Sequence, residues 1–263
     1  MKQKLNKLEK YWVMYDVGNS AFALLVSTII PIYFKNMATQ NGISAADSTA
    51  YLSYAISIST LIVAILGPVL GTVADGKNRK KPLFTLFMMV GVIGCAALAL
   101  PKSAMLFLVV FVITKVGFSG SLIFYDSMLV DVTTDERMDD VSSQGYAWGY
   151  IGSCVPFIAS LALIFGADYI GISGTMATAI AFVINALWWA VVTIPLLKNY
   201  KQNYYVETRT SGVTETVKRL GSVCGEIKNN KKVFLFLVAF FFYIDGVYTI
   251  IEMATSYGKD VGI

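Results

Sequence analysis

The amino-acid sequence predicts an all-α polytopic membrane protein, and three observations carry that prediction. Of 263 residues, 56% are hydrophobic and 14% charged, more apolar than a soluble core requires. The apolar residues gather in seven runs, 11–34, 51–72, 82–100, 104–130, 144–165, 175–197 and 233–254. Each is close to the ~20 residues with which a helix crosses a ~30 Å hydrocarbon layer. No run alternates apolar and polar residues as a barrel strand does, so each backbone must satisfy its hydrogen bonds within a helix.

The basic residues orient these spans. With the N-terminus inside, Lys2, Lys4, Lys7, Lys10, the turn at 77–81, Arg137 and the basic residues of 198–232 share one side. They make up 17 of the 21 Lys and Arg residues, against Lys35, Lys102 and Lys259 on the other side. That asymmetry predicts a cytoplasmic N-terminus. The run at 11–34 is 24 residues long and has no small-residue cleavage site, so it reads as a retained first helix. Cys95 and Cys154 lie in spans and Cys224 in the long loop, which is no disulfide framework. The chain contains no His, which removes the usual zinc ligand, proton shuttle and Ser-His-Asp chemistry. No enzyme activity, cofactor or metal is expected, and a net charge of +4 calls for no nucleic acid.

The first span carries Asp16 and, three residues on, Asn19, which shares its helix face. Asp16 has two readings, stabilisation of the helix N-terminus or lining of a pocket. The second fits better, because the sixth position of the run lies beyond the first turn. Ser44 and Asp47 read as the cap of a short helical turn before the second span. That span closes on Gly67, Pro68 and Gly71, small or rigid residues suited to close packing or a bend.

The turn Gly67–Lys81, GPVLGTVADGKNRKK, is more than a positively charged loop. Gly71, Asp75, Arg79 and Lys80 resemble the loop signature between the second and third helices of major facilitator superfamily transporters, G-x-x-x-D-(R/K)-x-G-(R/K)-(R/K). Here Gly76 stands for a basic residue and Asn78 for the later Gly. The resemblance implies a gating role for Asp75 and Arg79 at neighbouring helix ends. An ordinary inner loop explains the Lys residues but neither Gly71 nor Asp75.

The fourth span holds Lys115 about twelve residues in, too deep to reach the interface easily, and Asp126 on nearly the same face eleven residues later. A charge at that depth costs at least ~2.5 kcal/mol on insertion scales and is tolerated facing a partner or a wet cavity. A structural ion pair and a cavity role both remain open for it. In the fifth span Gly145, Gly149 and Gly152 form a small-residue face for helix packing. The preceding acidic stretch, VDVTTDERMDDVSSQ, is placed to meet the basic turn around Arg79. Asn185 with Trp188 and Trp189 in the sixth span reads as packing plus an interfacial anchor. Residues 198–232 read as a cytoplasmic linker, in which 214–228 have the pattern of an amphipathic surface helix with Val217, Leu220 and Ile227 on its apolar side. The seventh span carries Asp245 at its centre, in a stretch, Tyr243-Ile244-Asp245-Gly246, that echoes Tyr15-Asp16-Val17-Gly18.

Further segments resemble the vacuole effluxer branch of that superfamily, named after a fungal autophagy protein. They are YDVGNSAF with PIYF, FYDSMLVDV leading into SSQGYAWGYIG, and FLVAFFFYIDGVYTIIEMATSYG. The resemblance implies a major facilitator fold: an N-terminal six-helix bundle over 1–197, a linker over 198–232, and over 233–263 the first helix of an incomplete second bundle. It also implies twelve helices in the whole protein, so the chain is read as a fragment whose partner is the remaining helices or a partner half. The expected function is secondary active transport of a small solute, amino-acid efflux included, by alternating access in a bacterial cytoplasmic membrane. Asp16, Asn19, Lys115, Asp126 and Asp245 are then the candidates for solute and proton binding, with Lys115 neutralising an acid or holding a substrate carboxylate. The alternative is a non-transporting seven-helix receptor or scaffold. A receptor places the N-terminus outside, against the charge count.

Overall fold

The computed structural model describes residues 4–207, 221–222 and 225–261. Among these, seven helices are long and apolar enough to cross a membrane, and they follow the seven apolar runs. The helices are α1 (Lys7–Leu24), α2 (Ile30–Gln40), α3 (Ala45–Ala74), α4 (Lys80–Ala97), α5 (Ala104–Ser127), the single turn α6 (Leu129–Val132), α7 (Met138–Phe165), α8 (Gly174–Asn199) and α9 (Lys231–Val261). The surface helix expected over 214–228 falls largely outside the described residues.

The first span is one 34-residue rod, Lys7–Gln40, with a single irregularity. Asn6 caps it: its side chain accepts from the Leu8 and Glu9 amides, and the Glu9 carboxylate accepts from the Asn6 amide. Asp16 is therefore no cap, and it sits in mid-helix. A π-turn at Leu25–Ile29 joins α1 to α2, whose first turn contains Pro31. Pro has no amide hydrogen to give the preceding turn, and the wider turn accommodates its ring. The hydroxyls of Ser27 and Thr28 return bonds to the carbonyls of Ala23 and Leu24 in the loosened region.

Ser44 accepts from the Asp47 amide at 3.1 Å, but the helix it starts is the whole second span and not a separate turn. Pro68 lies inside that helix, which continues to Ala74. Of the two readings for Gly67–Gly71, packing is seen at Gly67, where a Cβ would lie 3.2 Å from the Ile123 side chain.

The α1 helix packs on α7 and α8, α5 packs on α3 and α4, and α4 closes on α8. Between lipid-facing helices there is little hydrophobic driving force, so fit decides contact. Trp189 shows how. It is fully buried, stacked near Phe22 and edge-on to Phe118, in a slot that exists because residues 91 and 18 are Gly. A Cβ at Gly91 would collide with the indole, and one at Gly18 would lie 3.3 Å from it. Trp188 also turns inward, donating from Nε1 to the Val17 carbonyl at 3.2 Å. Trp189 is a core residue and Trp188 is half-buried with its indole N–H turned inward, which corrects the interfacial reading. Asn185 is packing, held by Ser160 Oγ and the Ala181 carbonyl, both at 2.8 Å.

The seventh span meets the others along α2, α3 and the π-turn, through its last turns. Thr255 donates to the Ser27 carbonyl, Ser256 pairs with Thr49, and Lys259 reaches Asn36 at 2.6 Å. Its earlier turns, with Phe234, Phe241 and Tyr243, are exposed.

Candidate functional site

A cavity of about 510 Å³ opens between α1, α5, α7 and α9. Its polar lining includes Asp16, Asn19, Ser20, Ser27, Lys115, Asp126, Ser142 and Glu252, and its aromatic lining Trp12, Phe118, Tyr125, Tyr146, Tyr150 and Tyr248. The structure thus brings Asp16, Asn19, Lys115 and Asp126 together and leaves Asp245 out. Asn19 donates to Asp16 at 3.4 Å, a long bond, and Asp126 is exposed. Trp12 fixes one wall by stacking on Tyr125 at 4.2 Å and donating from its indole to the Tyr125 carbonyl at 3.1 Å.

Asp16 reaches this position because the fifth span has no side chains in its way. A Cβ at Gly145 would lie 3.0 Å from the Trp12 ring, and one at Gly149 would lie 2.9 Å from Ser20 Oγ and 3.3 Å from the Asp16 carboxylate. One at Gly152 would strike Val17. The three glycines let the α1 and α7 backbones approach, and the face beside them turns Ser142, Tyr146 and Tyr150 into the cavity. The sequence shows the glycines more plainly than that second face. Its signal is the i, i+4, i+8 spacing of hydroxyl residues on one helix.

Lys115 is buried, and its ammonium lies 2.5 Å from Glu252 Oε1 on the seventh span. Glu252, which the sequence pattern does not single out, takes the place expected for Asp245. The two acids are seven residues apart, on one face of α9 but separated by about 10 Å of rise. Because α9 docks through residues beyond 250, Asp245 is left exposed. Lys115 therefore pairs across to another span and not with Asp126 on its own helix.

Three features are thus combined: membrane-spanning helices, an internal cavity with ionisable walls, and a basic turn between the second and third spans. The family model described as vacuole effluxer Atg22 like matches residues 6–136 and 130–261. The chain belongs to the Atg22-like vacuole effluxer family. It is also 46% identical, over its whole length, to an uncharacterized MFS-type transporter, YxiO, of Bacillus subtilis (strain 168), and it spans 63% of that protein's length. The chain is an integral membrane protein with the helical architecture of the major facilitator fold.

In this Atg22-like chain the basic turn is held by Lys80, the last residue of the superfamily signature, and not by its Asp75 and Arg79. Asp75 and Arg79 are exposed, and among the described residues neither enters an ion pair. Gly71 has open space around it. Lys80 carries the contact. It is buried, its ammonium lies 2.9 Å from Asp131 Oδ2, and it donates to the Ser127 carbonyl at 2.9 Å. Asp131 comes from the acidic stretch after the fourth span. It also accepts from the Tyr200 hydroxyl at 2.6 Å and from the Asn203 and Tyr204 amides at 2.8 Å each. Burial alone would raise this carboxyl. The bonds from Tyr200, Tyr204, Lys80 and Asn203 outweigh burial and hold it below its ordinary value. Residues 200–206, which follow α8, are thereby strapped to the helix ends, and Val206 donates to the Asp75 carbonyl at 2.8 Å. Asn78, where the signature has Gly, has φ of +59°. Asn tolerates the left-handed region better than most residues with a Cβ, so the turn keeps its shape. A second contact at the same end of the bundle joins the first and fifth spans, where Arg137 donates to Glu9 at 2.7 and 2.9 Å.

Proposed function

We propose that the protein is a secondary active transporter of small solutes working by alternating access. The carrying observation is the cavity itself. Asp16, Asn19, Lys115 and Asp126 face one space at a depth where ionisable groups are costly unless they serve a pathway. In this reading residues 1–197 form the first bundle, 198–232 a cytoplasmic linker and 233–263 the first helix of the second bundle, with the N-terminus in the cytoplasm of a bacterial cell. Further helices, or a partner half, complete the path.

Asp16 and Asp126 are the proton-carrying candidates, since among the described residues neither is held in an ion pair. The Lys115–Glu252 pair joins the first bundle to the first helix of the second. A rocking motion of the bundles would strain or break such a contact, so the pair is placed to report the access state. Asp75 and Arg79, free at the inner surface, are placed to engage other helix ends when the inner side closes, beside Gly71 and the Lys80–Asp131 clasp. The solute is small; the family description names an effluxer, and amino acids are the class that the resemblance of the sequence to that family implies.

The test is flux. The complete product of the native gene, reconstituted in proteoliposomes, is expected to move amino acids or related solutes when a pH gradient is imposed. Lys115→Ala is expected to reduce that movement, and unchanged movement in this variant would remove Lys115 from the mechanism. Absence of flux for every solute, with a folded protein, favours the scaffold reading.

A further inference from the structure

We infer that the cavity recognises its solute through a positively charged nitrogen, so that amine-bearing cations are favoured over anions. The inference rests on the transport reading above for its biological sense, but its chemistry stands on the lining. Three carboxylates, Asp16, Asp126 and Glu252, face the space against one cation, Lys115. Lys115 is already taken by Glu252 at 2.5 Å. That leaves Asp16 and Asp126 as net negative charge in a site of low polarisability, where it repels an anion and attracts a cation more strongly than in water. Lys115, so paired, is not available to hold a substrate carboxylate.

Independent observations point the same way. The walls between the two acids are aromatic. Trp12 and Tyr125 are stacked at 4.2 Å, and Phe118, Tyr146, Tyr150 and Tyr248 also line the space. A ring face attracts an ammonium or a quaternary nitrogen and offers an anion nothing. A volume of about 510 Å³ accommodates a solute with an aromatic or branched body as well as its charged head.

Three probes of matched body separate the charges: phenethylamine, the zwitterion phenylalanine, and 3-phenylpropionate. Binding of each is measured by equilibrium dialysis on the full chain in phosphatidylcholine nanodiscs. Phenethylamine is expected to bind at least about tenfold more tightly than 3-phenylpropionate. Asp16→Asn with Asp126→Asn is expected to erase about that factor, while Asp245→Asn leaves it unchanged. As a check free of variants, phenethylamine should raise the thermal midpoint of the unaltered protein more than 3-phenylpropionate does. Equal or tighter binding of the anion, amine binding indifferent to the double substitution, or no amine binding overturns the inference. Amine binding with no solute flux overturns the transport reading and leaves this one standing. Flux of an anion without amine binding does the reverse.

Discussion

The Lys115 ammonium on the fourth span and the Glu252 carboxylate on the seventh meet at 2.5 Å, joining helices 137 residues apart in sequence. Both charges are partly or wholly withdrawn from water, so each depends on the other. Removing one partner strands the other charge, whereas removing both leaves a neutral contact. Lys115→Met alone is expected to cost about 3 kcal/mol of stability and Lys115→Met with Glu252→Gln clearly less. Thermal unfolding of the two variants in the same detergent measures the difference. A loss in the double variant equal to or greater than that in Lys115→Met would show that the pair is not coupled.

The Asp131 clasp predicts a pH dependence. Its folded carboxyl is held below the ordinary value, so its contribution is fully present above the ordinary carboxylate range. That contribution is lost as pH falls through the lowered folded value. The unaltered protein should therefore lose stability more steeply than Asp131→Asn below about pH 4. At neutral pH the Asn variant should be less stable by about 3 kcal/mol, because it leaves Lys80 buried without a counter-charge. Parallel pH profiles for the two proteins would exclude this role.

The glycine face of the fifth span predicts a graded series. Gly149→Ala presses on Ser20 and Asp16, and Gly152→Ala presses on Val17, so each should cost about 1–3 kcal/mol through overpacking. Gly174→Ala, with nothing within 4 Å, should change stability by less than about 0.5 kcal/mol. Unfolding midpoints of the three variants test the order.

These features were unequally legible in the sequence. The seven spans, the charged depth of Lys115 and the Gly145–Gly149–Gly152 face are local patterns, set by composition and helical period, and they could be read directly. The partner of Lys115 could not. Asp126 shares its helix and Asp245 sits at mid-span, so period and depth favoured both. The choice of Glu252 depends on where α9 docks, a tertiary fact with no local signal. The tryptophans of the sixth span misled for a related reason. Two Trp side by side suit a membrane interface, and only the distant Gly18 and Gly91 reveal the slot that buries Trp189. The clasp at Lys80 hides inside a run of basic residues, where sequence alone does not say which one turns inward.

The orientation argued from the Lys and Arg distribution predicts opposite accessibility for two turns. In a background with Cys95, Cys154 and Cys224 replaced by Ser, Gly42→Cys should react with a membrane-impermeant thiol reagent on intact cells. Lys77→Cys should react only after permeabilisation. The reverse pattern would place the N-terminus outside and revive the receptor reading.

The claim that the space beside Asp16 and Asp126 is a solute path is tested most directly by alternating accessibility at Asp126. In the same cysteine-free background, Asp126→Cys in the complete gene product is treated with a charged methanethiosulfonate added from one face of the membrane at a time. The account predicts modification from either face, at rates that shift in opposite directions when a transported solute is added. Modification from neither face, or from one face at a rate no solute changes, would contradict it.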